Sequence, residues 1–349
     1  MTNKKFIKYV KKHINLPSNT YGSLDWISGL LILNITDKEY EYFINNINSN
    51  NNLLETITHE MFHVYQICTC AYLYYSMAEI SHEIMENIFN IDNVKLTDLF
   101  SQNLNITNKA SKWIAELEGN KSYGYSILDI IEGYAFYSHH RMTNKNINSE
   151  NYLSILKNYP TIYSNLYMFL LNKIGSKKAF LLYPCLAYLS LQFKEPCEIF
   201  SYLTKIIIVE NIKVKKETID TFNFLYMKVS DYALNNNKLI MPPNYIYTQY
   251  GYDSLHPFYN FSIKKMYDKY NSNEINSFMC MPQLIPQEFR LNMYRPILLN
   301  TGYIVSPKDF DKGIFDSISE NETYMVTIAS LFFKLFKFKN NELTFQIRI

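Results

Sequence analysis

Apolar residues recur along much of this chain at intervals of three and four, the spacing of one face of an α-helix. In the clearest case Leu53, Leu54, Ile57, Met61, Val64 and Cys68 fall on one side of a 3.6-residue wheel, and Thr56, His59, His63 and Gln66 on the other. Asn52 followed by Glu55 resembles a capping pair at its start. The segment reads as a helix that buries its apolar face and turns its polar stripe toward a cleft. It is expected to continue through the tyrosine-rich residues 71–77 toward 90, or to bend near Ser76. A second helical run covers residues 126–140, where Glu132, Phe136 and His139 share a face and Gly133 and Ala135 are small enough to admit a close neighbour.

The remaining pattern fills in around these two helices. Residues 27–35 form a short apolar run rich in β-favouring side chains and read as a strand, followed by a helix over 37–47 and a polar break at 48–52. Another break at 103–107 precedes a helix containing Trp113. Residues 151–237 carry long periodic segments punctuated by Tyr159-Pro160, Gly175-Ser176, Pro184 and Pro196, which predicts a helical lobe. Residues 242–286 are richer in turn formers. Residues 331–338 are apolar enough for a core, and 343–349 alternate as a half-buried strand does, pairing across Asn340-Asn341. The expected fold class is mainly α (α+β), an active-site helix with a small upstream β element and a large helical lobe. The expected units are 1–75, 76–280 and 281–349, the last an α/β extension.

Composition narrows the class. The chain has 349 residues, 48% of them apolar, with net charge +2, 31 Tyr and 23 Phe against nine Gly and eleven Pro. That suits a compact helical protein with a large core, and near-neutrality gives no support for nucleic-acid binding. Cys68, Cys70, Cys185, Cys197 and Cys280 are an odd set without framework spacing and read as reduced core thiols of a cytoplasmic protein. Cys68-Thr-Cys70 is a C-x-C, but buried helix residues explain it better than soft-metal ligation. The basic residues 1–13 read as a short amphipathic helix with a solvated face. No apolar signal region follows them, and no run approaches a membrane span.

The candidate chemistry lies at His59-Glu60-Met61-Phe62-His63, an H-E-x-x-H string on the first helix. One helical turn separates the two imidazoles, so both can reach one tetrahedral metal, and Glu60 beside them could act as general base on a zinc-activated water. The competing reading is an ordinary amphipathic helix with surface histidines and a solvated Glu60. A zinc site needs a third protein ligand. A metzincin continuation H-x-x-G-x-x-H is absent, because Gln66 and Thr69 occupy those places.

Glu132 is the leading third ligand, since a carboxylate inside Ile130-Ile131-Glu132 is costly to bury unless paired or metal-bound. Glu116, Glu118, His82, Glu83, His139, His140 and Asp129 compete with it, and pairing of Glu132 with Arg141 is the plainer alternative. Together with the string Glu132-Gly133-Tyr134-Ala135, the motif resembles the gluzincin-type zinc metallopeptidases, in which a later E-G-x-A-like helix completes the site. The resemblance covers two short helices and implies a zincin-like fold. It further implies zinc held by His59, His63 and Glu132, with Glu60 as base. Glu132 follows His63 by 69 positions (132 − 63), a long insertion, and Phe136 stands where thermolysin-like relatives carry an aspartate that orients a histidine. Asp129, one turn earlier, is the nearest replacement for that orienting role. His139 and Tyr134 are the first candidates to stabilise an oxyanion, and a helix-terminal role beside the carbonyl dipole is as good an account of His139 and His140.

The stretch 29–34 could bind an extended peptide as an edge strand, or simply support the helix from within the sheet. His256 in the 253–257 turn could enter the cleft, though a loop histidine without partner spacing is usually structural. P-loop, dinucleotide-fingerprint and nucleophile-elbow motifs are absent. The sequence therefore favours a zinc-dependent peptidase acting on a peptide or protein substrate. A helical scaffold with an accidental H-E-x-x-H and a non-peptide metallohydrolase are the alternatives.

Overall fold

The computed structural model describes residues 21–26, 30–46, 50–89, 108–119, 122–214, 219–241, 262–263, 266–286, 297–299 and 304–305. Within them the protein is mainly helical with one small sheet. The expectations for residues 1–13, 103–107, 253–257, 331–338 and 343–349 lie outside the described residues. No helix is long and apolar enough to cross a membrane among the described residues.

Strand β1 (Gly22–Asp25) pairs antiparallel with β2 (Leu30–Leu33), Gly22 facing Leu33. On its other side β2 pairs in parallel with β3 (Ile297–Leu299), which is antiparallel to β4 (Ile304–Val305). The strand expected around residues 27–35 is therefore interior. Its backbone is taken on both sides and cannot accept a peptide by strand addition; β1 and β4 are the edges among the described residues. A Cβ on Gly22 would come within 2.7 Å of Leu33 Cδ2 and 2.9 Å of the Ile32 carbonyl oxygen, so glycine is required for this close pairing. The sheet joins the beginning of the described chain to its end, with β3 and β4 in one layer with β1 and β2.

Helix α1 (Asp37–Asn45) opens with a capping box in which Thr36 accepts from Glu39 N and Glu39 accepts from Thr36 N. Helix α2 (Asn51–Thr69) is capped by Asn50, whose Oδ1 accepts from Leu53 N at 3.1 Å, two residues before the expected Asn52. It ends at Cys70 rather than near Ser76, and α3 (Ala71–Phe89) starts at once. The groups freed at that break find partners far along the chain: Gln192 Nε2 donates to Thr69 O, Ala71 N donates to Gln192 Oε1, and Tyr72 N donates to Leu191 O. No local residue marks the position.

Helix α4 (Asn108–Gly119) carries Trp113, and α5 (Ile127–Thr143) follows. The helical lobe continues with α6 (Ser149–Leu156), α7 (Thr161–Ile174), α8 (Ser176–Ser190), α9 (Pro196–Val209) and α10 (Ile219–Asn235). Pro184 does not separate two helices but lies inside α8. A proline there removes the donor to the carbonyl four residues earlier, which is Phe180 O. That oxygen accepts instead from Tyr137 Oη of α5 at 2.7 Å, which replaces the missing bond and ties α5 to α8. In the region read as turn-rich, α11 (Ser272–Cys280) is set by a capping box between Asn271 and Glu274 and runs into a 3-10 turn at Pro282–Leu284.

Helix α5 is the hub. It packs against α2 and α7 on its flanks and reaches α8 and α9. Ile130, Ile131, Tyr134, Ala135 and Tyr137 are fully buried. A Cβ on Gly133 would lie 2.4 Å from Tyr183 Oη and 3.3 Å from Tyr163 O, so this glycine admits α7 and α8 closely, and α2 lies elsewhere on the helix. All five cysteines are buried, and none of them forms a disulfide among the described residues.

Candidate metal centre

Helices α2 and α5 place His59, His63 and Glu132 against one another. The polar stripe of α2 is enclosed: His59 is 9% exposed, His63 2% and Gln66 0%. An exposed amphipathic face is thereby excluded. Buried imidazoles without partners would cost a few kcal/mol each, so their surroundings must satisfy them.

His59 Nε2 lies 3.1 Å from His63 Nε2, and Glu132 Oε2 lies 3.3 Å from the former and 3.5 Å from the latter. These three donor atoms form the one group of three or more His, Cys, Asp or Glu side chains among the described residues that could hold a metal ion. Their separations average 3.3 Å. Ligands about 2.0–2.1 Å from a tetrahedral ion are about 3.3–3.4 Å apart. The separations are of the size that atoms sharing one ion show, and the set could hold a metal ion.

The electrostatics agree. Burial alone would raise the Glu132 carboxyl, but the facing His63 and His59 imidazoles outweigh it and hold it well below the usual carboxylate range. Burial alone would lower His63, but the Glu132 carboxylate, helped by Glu60 and Gln66, overrides it and raises the imidazole to about 9. The enclosure thus stabilises positive charge at the point where the three donors converge.

Each imidazole is held from behind. His63 Nδ1 is 2.7 Å from Gln66 Oε1, and Gln66 Nε2 donates to Ile131 O at 2.9 Å. Since that oxygen can only accept, His63 Nδ1 carries a proton, and Nε2 is the nitrogen that would offer its lone pair to a metal. The Trp26 ring packs tilted against that of His63, 5.0 Å between centroids. His59 Nδ1 is 3.2 Å from His139 Nδ1. Glu60 projects toward the sheet, and its Oε2 accepts from Leu24 N of β1 at 2.8 Å. In the β1–β2 register Leu24 faces Leu31, a place where the strand's N–H points outward from the ladder.

The other expected site residues are dispersed. Asp129 completes a capping box at the start of α5, accepting from Ser126 N at 2.7 Å and Ser126 Oγ at 2.8 Å. It does not orient a histidine; Gln66 does. Tyr134 Oη donates to Met279 O at 2.6 Å in the core, where it packs edge-on against Phe62, so it is no oxyanion donor. His139 is buried against His59, and burial with His140, His59 and His63 nearby pushes it well below the usual histidine range. His140 is buried against Phe136 and Tyr159. Burial, then His59, lowers it to about 4. His140 does stand in the last turn of α5, where the dipole account places it, but burial keeps its ring neutral at pH 7. Arg141 Nη1 donates to Ile147 O, so it is not the partner of Glu132. Glu116 accepts from Tyr72 Oη, and Glu118 is exposed. The side chains of His82 and Glu83, and all of His256, lie outside the described residues.

Tyr163 of α7 escaped the sequence reading. Its ring meets that of His59 at 5.8 Å, edge to face. Burial, together with the charges of Glu132 and Glu60, pushes its hydroxyl up to about 12, so it stays protonated beside both carboxylates at neutral pH. Only its position in space reveals it, 31 residues beyond Glu132 (163 − 132). Gln66 was within reach of the sequence, as the polar residue one turn after His63.

Comparison of the chain with known protein families, with characterised proteins and with solved structures finds no match.

Proposed function

We propose that this protein is a zinc-dependent hydrolase of zincin-like design, with peptide bonds as its substrate class. The observation that carries the reading is the triangle of His59 Nε2, His63 Nε2 and Glu132 Oε2, 3.1–3.5 Å on a side, with Glu60 on the adjoining helix position. Two imidazoles and one carboxylate form a donor set suited to catalytic zinc. A zinc ion held there would supply Lewis acidity, polarising a carbonyl and bringing a water's pKa toward neutrality.

The chain's own groups would then act as follows. Glu60 takes a proton from the attacking water and passes it to the leaving nitrogen, while its Oε2 stays anchored on Leu24 N. The Tyr163 hydroxyl, protonated and close to both carboxylates, donates to the developing oxyanion. Trp26 and Gln66 hold His63 in place.

Zinc content by mass spectrometry and cleavage of a peptide library test this together. The expected result is close to one zinc per chain and cleaved peptides. Glu60→Gln should keep the zinc, because the amide oxygen can still accept from Leu24 N, and should lose about 10²–10⁴ in turnover. Glu132→Ala should lose the metal. Absence of stoichiometric zinc in the wild type would favour a scaffold protein. Zinc with cleavage only of esters or other non-peptide substrates would overturn the peptide assignment alone.

A further inference from the structure

His59 and His139 meet through their Nδ1 atoms at 3.2 Å, both buried, and only one of the two can carry the proton between them. His139 Nε2 is buried with no hydrogen-bond partner among the described residues, and none of these fixes from its far side which form it takes. The choice is made at His59, whose Nε2 faces Glu132 Oε2 at 3.3 Å. Two neutral arrangements satisfy these contacts. In one, His59 Nε2–H donates to Glu132 and His139 Nδ1–H donates to His59 Nδ1. In the other, His59 Nδ1–H donates to His139 Nδ1, His59 Nε2 presents a lone pair, and His139 carries its proton on Nε2.

Resting on the metal reading above, we infer that His139 is a positioning residue whose tautomer is exchanged with that of His59 when the metal is loaded. Without a cation the first arrangement keeps a proton on the Glu132 bond. A cation requires the lone pair of His59 Nε2 and therefore the second. The proton of the Nδ1–Nδ1 bridge passes from His139 to His59. The His59 Nε2 proton leaves, and one is taken up at His139 Nε2, so the pair remains neutral with two protons throughout. His63 undergoes no such exchange, because Gln66 Oε1 accepts from its Nδ1 in either state. Only one of the two ligand imidazoles thus needs a partner that can both donate and accept, and that partner is a histidine.

The test combines nitrogen-15 imidazole spectra of apo and zinc-loaded full-length protein with zinc affinity for His139→Asn and His139→Phe. On zinc addition to the wild type, the protonated nitrogen of His59 should move from Nε2 to Nδ1 and that of His139 from Nδ1 to Nε2, with His63 keeping its proton on Nδ1. His139→Asn places an amide oxygen where it can accept from His59 Nδ1 and should bind zinc within a few-fold of wild type. His139→Phe keeps a ring but no acceptor and should bind about 10–100-fold more weakly. A wild type without stoichiometric zinc refutes the metal reading itself. A zinc-binding wild type in which His139 keeps its proton on Nδ1, or in which the Asn and Phe variants bind equally, overturns the positioning role and leaves the metal site standing.

Discussion

Replacing Gln66 by methionine isolates the support behind one ligand. The side chains are similar in length and volume, and Gln66 is fully buried, so packing changes little while both of its polar contacts vanish. Ile131 O lies within α5, where it also accepts the ordinary helical bond, so the larger loss falls on His63 Nδ1–H. A buried donor left unsatisfied costs about 1–3 kcal/mol of stability. The zinc effect follows from linkage. At free zinc one hundred times the wild-type Kd, binding stabilises the fold by about 2.7 kcal/mol. Loss of an orienting partner weakens metal affinity about 10–100-fold, so at the same zinc concentration the gain shrinks to about 1.4 or about 0.4 kcal/mol. Chemical denaturation of wild type and Gln66→Met, each with and without zinc, separates the two effects. An apo destabilisation with an unchanged zinc gain would show that Gln66 only braces α2 against α5, and the account of His63 would fail.

Other substitutions probe other links. Tyr137→Phe orphans Phe180 O and should cost about 1–3 kcal/mol in urea denaturation; Pro184→Ala restores an N–H to that oxygen, so the same change in the alanine background should cost distinctly less. Tyr163→Phe should lower turnover about 10²-fold with zinc content intact, and equal turnover would remove Tyr163 from the chemistry. His140 titrates at about 4 in the fold against about 6.5 unfolded, so its neutral form is the native one. The associated stability is fully present above about pH 6.5 and is lost as pH falls toward 4, by at most about 3 kcal/mol. His140→Phe should flatten that limb in denaturation curves at pH 7, 5.5 and 4.5, and an unchanged slope would count against it.

The parts of the fold legible in the sequence are those whose causes are local. The period of α2, the apolar run of α5 and the breaks at Pro160, Gly175 and Pro196 depend on neighbours within a turn or two, and the helices begin and end close to them. The end of α2 at Cys70 depends on Gln192 and Leu191, more than a hundred residues away, and Pro184 is carried inside α8 by a hydroxyl from α5. Neither partner leaves a mark at the position it controls. Whether strand β2 is an edge or an interior strand stayed open for the same reason. A run of four apolar residues does not say how many strands flank it, and one of its partners lies near residue 298.

The candidate site divides in the same way. The spacing of His59 and His63 is one turn of one helix, and Glu132 announced itself as a carboxylate among isoleucines. What surrounds them was assigned by nearness in sequence, and there it failed. Asp129 is one turn from Glu132 but faces the helix start, where the free N–H groups of α5 claim it first. Tyr134 is two residues from Glu132, about 200° around the helix, and that rotation alone sends it into the core toward Met279. Gln66 and His139 succeed because each stands on a helix face at the right turn, three residues after His63 and seven after Glu132. A residue that orients a ligand must reach the imidazole nitrogen turned away from the metal. For His59 and His63 that nitrogen is Nδ1, which faces His139 and Gln66 respectively. Gln66 and His139, both buried between the helices, meet that condition, and Asp129 at the start of α5 does not.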